Sequence, residues 1–147
     1  MTLNKSALIS SLAFFGSMIL SGCSSAGGEF FAKEKHIEKD LSGKSQVIVY
    51  RYKQYAGSAD EPDVIDNGKN VGSIKNGGFI SYTTTPGLHK VHTSTAGIDK
   101  AVNITLEPGA VYYMRADFQP AWIGFWRMSV IYPEQAIGEL NSTRLSM

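Results

Sequence analysis

His89 and His92 are the first residues whose types and spacing could do chemistry. They invite a metal reading, and strand geometry rejects it. Side chains alternate along a strand, so residues three apart point to opposite faces. A zinc site needs three or four converging ligands, and no cysteine follows Cys23 to help. His36 has no evident partner, so the histidines read as structural or solvated. A serine nucleophile would need a histidine base and an orienting acid, and no Gly-x-Ser-x-Gly elbow occurs after Cys23. Asp60, Glu61, Asp63 and Asp66 are clustered, but in a loop and hairpin, where a solvated rim is expected. Their spacing is not that of a calcium-binding EF-hand loop.

Two constellations remain. Arg51 shares strand parity with Val47 and Val49, and Arg115 with Val111 and Tyr113, so both guanidiniums fall on apolar faces. Such groups are rarely left unpaired. Asp117, two residues after Arg115 on the same face, is the expected partner, with Asp66 a second candidate. The expectation is a structural ion network of Arg51, Arg115 and Asp117, with anion binding as the alternative. The second constellation is Trp122-Ile-Gly-Phe-Trp126. If the segment is extended, Trp122 and Trp126 share a face about 13 Å apart. Trp122, Phe125 and Trp126 would then form a contact surface for a sugar, a partner or a membrane interface. The competing reading has these rings closing the core against a helix over Pro133–Leu140.

The elements that must position these residues are mostly strands. Gln46–Tyr52 is β-branched and aromatic at both parities, which predicts a central strand covered on two sides. Asp66-Asn67-Gly68-Lys69 predicts a type I′ hairpin turn, because Asn and Gly accept positive φ. Strands follow over Phe79–Thr85 and Leu88–Ser94. Asp99–Glu107 alternates, with Val102, Ile104 and Leu106 facing in. Ala110–Phe118 and a strand within Phe125–Tyr132 complete the set. Pro133 at an early helical position opens a short C-terminal helix. The charge-rich Glu29–Leu41 reads as a marginal tether helix, Ser24–Gly28 as a flexible Gly/Ser tether, and 141–147 as a frayed tail. The fold class is therefore all-β, a small antiparallel β-sandwich with a tether helix before it and a short helix after it.

The N-terminus sets the location. A basic start, an apolar run over Ala7–Leu20 and small residues at the cut form a secretory signal over residues 1–22. The run is shorter than the roughly twenty residues that a spanning helix needs. Leu20-Ser21-Gly22-Cys23 resembles the lipobox of bacterial lipoproteins. The resemblance implies a diacylglycerol on the Cys23 thiol, cleavage before Cys23 and an N-acyl chain on its amino group. Ser24 after the cysteine is similar to the default outer-membrane signal. Cys23 is the single cysteine, so it has no partner for a disulfide within the chain. With Lys5 removed in the signal, the mature formal charge falls from +1 to zero. A neutral chain without a block of like charges carries no electrostatic footprint for nucleic acid or anionic lipid.

Four further pieces carry a family resemblance. These are Val49-Tyr50-Arg51, the hairpin rhythm Asn67-Gly68, Val71-Gly72-Ser73-Ile74 and Asn76-Gly77, the step Pro86-Gly87-Leu88-His89, and Pro108-Gly109-Ala110-Val111-Tyr112-Tyr113-Met114-Arg115. In this order they resemble DUF2846, a family of small bacterial lipoproteins of unknown function, over about Val47 to Leu140. The resemblance implies a β-rich fold similar to carboxypeptidase-regulatory or PEGA-type sandwiches, and it implies no activity. The organisation expected is a signal over 1–22, an anchored tether over 23–45, a sandwich over 46–140 and a tail. The function expected is a non-catalytic module of the cell envelope, held in the outer membrane facing the periplasm. It would be structural or would bind an envelope protein. The alternative is a module that recognises envelope glycan or peptide through aromatic side chains. No enzyme activity and no cofactor beyond the acyl chains are expected.

Overall fold

The computed structural model describes residues 25–95 and 100–147. In chain order the described elements are α1 (Lys33–His36), β1 (Ser45–Tyr50), β2 (Asp63–Asp66), β3 (Lys69–Ser73), β4 (Gly78–Thr84), β5 (Gly87–Thr93), β6 (Val102–Leu106), β7 (Val111–Gln119), β8 (Phe125–Ile131), α2 (Pro133–Leu140) and β9 (Arg144–Leu145). They build an all-β sandwich of a five-stranded sheet, β8-β7-β1-β4-β9, and a four-stranded sheet, β3-β2-β5-β6.

β1 explains the layering. Every one of its residues is buried, because alternate side chains enter two different cores. Val47 and Val49 point between the sheets, where they meet Val64, Val91 and Leu106 of the second sheet. Ile48 and Tyr50 point the other way, beneath Ala136 and Leu140 of α2 and Phe31 of the N-terminal segment. Burying a side chain of this size contributes about 1.5–3 kcal/mol, so a strand apolar on both faces is stable only in the middle layer. The hairpin between β2 and β3 turns at Asn67 and Gly68 with φ of 47° and 82°, both positive as a type I′ turn requires.

Four expectations are corrected. The sheet is not purely antiparallel: β1 pairs in parallel with β7, and β4 with β9. The tether helix shrinks to the single turn of α1, which lacks a side-chain cap at Ala32 and ends in extended backbone at Ile37. The segment from Ser25 is no loose leash. Ser25 bridges to Asn76, Gly28 N–H donates to the Leu145 carbonyl (3.1 Å), and Phe31 N–H donates to the Thr143 carbonyl (3.0 Å). Residues 141–147 are not frayed, because β9 completes the sheet edge and Thr143 is buried. The predicted signal, Cys23, Ser24 and the strand start at Asp99 lie outside the described residues.

Candidate functional site

Three polar clusters built into the sandwich involve the candidate residues, two between the sheets and one on the outer face. The first is Arg51, which leaves the end of β1 on the inner face and is fully buried. Its guanidinium donates to the carbonyls of Asp60 (2.8 Å) and Gly57 (3.0 Å) and to Asn76 Oδ1 (3.1 Å). It lies 4.2 Å from the Trp126 ring centroid. Asn76 in turn brackets Gln54, accepting from its N–H and donating to its carbonyl. Arg51 thus holds the loop from Tyr52 to Pro62 against the sandwich. Burial pushes its pKa down to about 10, against the pull of Asp60 and Glu61.

The second cluster lies on the outer face. Arg115 of β7 grips Asp117 from Nε (3.0 Å to each carboxylate oxygen) and Glu139 of α2 from Nη1 (3.0 and 3.1 Å). Glu139 also accepts from the Tyr50 hydroxyl (2.5 Å) and from Gln135 Nε2 (2.8 Å). Partial burial pushes the Glu139 carboxyl up, but hydrogen bonds from Tyr50, Tyr52, Gln135 and Arg115 outweigh this and hold it at about 2. Burial and the Glu139 charge push the Tyr50 phenol well above its ordinary range. Tyr50 is therefore a donor here, not a base.

These two arginines do not share a network, which corrects the sequence expectation. Tyr50, not Arg51, stands level with Arg115 in the parallel β1–β7 register. A one-residue offset puts side chains on opposite faces, so Arg51 enters the inner layer and Arg115 the outer. Glu139 was missed because nothing in the local pattern of α2 says which strand residue it will meet.

Asp66 joins neither arginine. It accepts from the Tyr82 hydroxyl (3.1 Å) and faces His89 Nδ1 at 2.7 Å, while His89 Nε2 lies 2.8 Å from the Thr85 carbonyl. Both ring nitrogens of His89 thus meet oxygen atoms of the protein. This third cluster ties β2 and β5 of one sheet to β4 of the other. His36 also has partners: its ring packs on Phe31 and Phe79, and its Nε2 lies 3.1 Å from Glu29. Among the described residues no three His, Cys, Asp or Glu side chains converge as a metal site. No helix among them is long and apolar enough to cross a membrane.

The aromatic segment divides. Trp126 is 1 % exposed, packed beneath Arg51 and edge-on to Phe118 (5.3 Å). Trp122 is 101 % exposed. The two tryptophans do not share a face, because the chain turns between them, Gly124 N–H donating to the Ala121 carbonyl. Trp126 then falls opposite Phe118 in the β7–β8 register and points inward. Phe125 is half-buried, with Lys100 Nζ 5.9 Å from its ring centroid. Only Trp122 of the predicted contact set stands fully in solvent.

Two sheets facing across a shared core define an all-β sandwich. The DUF2846 family profile, described as "Protein of unknown function", matches residues 41–124, more than half of the chain. The chain belongs to that family. No curated protein and no solved structure matches it. The matched span includes Arg51, Asp66, His89, Arg115, Asp117 and Trp122, and ends before Trp126 and Glu139.

Proposed function

We propose that this chain is a lipid-anchored lipoprotein of the bacterial cell envelope, held in the outer membrane and facing the periplasm. Its sandwich serves as a non-catalytic module that packs on an envelope protein. The observation that carries the reading is Leu20-Ser21-Gly22-Cys23 directly after an apolar signal run. Two acyl chains or more would make attachment effectively stable. The non-catalytic part is supported by the polar clusters: Arg51, Arg115 and His89 each meet structural partners within the protein. The glycan reading has less support, since burial of Trp126 removes one of the two tryptophans that the expected stacking surface would use.

A groove of about 370 Å³ between the start of β7 and the end of β8, with Val130 and Tyr132 exposed beside it, offers a protein partner an apolar seat. The test has two parts. Palmitate labelling and membrane fractionation should both be lost in Cys23→Ser; retention of both would overturn the anchor. A photoreactive residue at position 132 should crosslink to one envelope protein in intact cells. Crosslinks to glycan alone would favour the ligand-binding alternative.

A further inference from the structure

The three most exposed large apolar side chains among the described residues are Trp122, Tyr55 and Ile123, at 101, 95 and 92 %. They do not lie on scattered loops. β1 runs out at Tyr50, beside Phe79 near the start of β4. Arg115 is level with Tyr50, and β7 continues in the same direction to Gln119 before turning at Trp122 and Ile123. Tyr55 lies in the loop after β1, which leans on the same hairpin: a Cβ on Gly57 would meet the Phe118 ring at 2.9 Å. Ser25 bridges to Asn76, two residues before β4, and lines one cleft of about 410 Å³ with Tyr55 and Lys53. All of these positions are at one end of the five-stranded sheet.

Covalent geometry brings the anchor to that end too. Two peptide links separate Cys23 from Ser25, so their Cα atoms are at most about 7.6 Å apart. Ser25 is fixed to the sandwich, so an acyl anchor on Cys23 would attach within that covalent reach of this end. Tyrosine and tryptophan are favoured where hydrocarbon meets headgroups, their rings in the apolar zone and their polar atoms in the wet one. We infer that this end of the sandwich is a membrane-seating surface, with Trp122, Ile123 and Tyr55 set into the lipid interface around the acylated Cys23. Asp60 and Glu61 share the Tyr55 loop with Lys53, so the seating is apolar and aromatic in character. The inference rests on the lipid anchor proposed above, and it fixes which way the domain faces.

The test uses the full lipidated protein reconstituted in phosphatidylethanolamine–phosphatidylglycerol vesicles, with and without lipids brominated on their acyl chains. Bromine quenches tryptophan only at close range, and Trp126 is buried in the core. With one of the two tryptophans at the interface, emission should fall by up to about half. Trp122→Phe, a change at a fully exposed site, should abolish the quenching while the protein still floats with the vesicles. Flotation with no quenching would overturn the orientation and leave the anchor intact. Failure to float would bring down the anchor, and the orientation with it. Trp122 unquenched on vesicles but protected by added peptidoglycan would overturn the inference in favour of a glycan-binding tip.

Discussion

Arg51 is the side chain on which the most local structure depends. Its guanidinium meets two carbonyls of one loop, a side-chain amide oxygen before β4 and an indole ring of β8. Arg51→Met would remove three hydrogen bonds from a charged donor, one to a buried acceptor and two to part-buried carbonyls, and such bonds contribute about 1.5–3 kcal/mol each. We expect at least about 3 kcal/mol lost in urea denaturation, with earlier proteolysis in the loop after Tyr52. Arg51→Lys should recover less than half of this, since a point-charge ammonium does not reproduce the planar fork. Wild-type stability in the lysine variant would show that charge alone suffices. Glu139 sets an acid limit. Its folded pKa of about 2 lies below the ordinary 4.5, so its contribution is complete above about pH 4.5. That contribution disappears as pH falls through about 2, because protonation then costs the folded state the bonds it alone makes. The melting temperature of wild type should therefore fall more steeply than that of Glu139→Gln between pH 5 and 2, and the two should converge at the acid end. Parallel profiles would mean that Glu139 is not held down. Neither partnership was legible in the sequence beyond Arg115 with Asp117, which share one strand two residues apart.

Elements announced themselves where a local pattern forces them. β1 is apolar at both parities and is buried on both faces; β6 alternates; Asn67-Gly68 supplies positive φ; Pro133 starts α2. β9 had no such signal. Two residues cannot display a period, and Arg144–Leu145 is a strand only because Gly78 and Phe79 offer an open edge. That edge placement is consequential. Phe30 and Phe31 reach the sandwich through Arg144 and Thr143, and the Arg144 guanidinium covers the Phe30 ring at 3.7 Å. Deleting residues 143–147 should cost about 2–4 kcal/mol through lost burial and unpaired edge groups. The melting temperature should fall by on the order of 10 °C or more. The N-terminal segment should exchange its amide hydrogens faster as well. An unchanged melting temperature would make β9 ornamental.

At the scale of the whole molecule the sequence showed a sandwich but not the direction in which all its strands pair. Turn chemistry and periodicity are local, whereas the parallel match of Gln46 with Val111 joins residues far apart, and no short pattern encodes it. The same distance hid the division of the two arginines between layers and the burial of Trp126, since each depends on a register settled across the fold. One feature of that connectivity reaches beyond the finished structure. The middle strand of the larger sheet is laid down early, its parallel neighbour follows more than sixty residues later, and the edge is completed by β9 near the end of the sequence. Loop closure over such spans is slow compared with local contacts. If the chain is exported as proposed above, N-terminus first, β1 would emerge long before β7 could pair with it in parallel. The order in which its strands emerge would then postpone the full pairing of the larger sheet until β7 and β9 had followed β1.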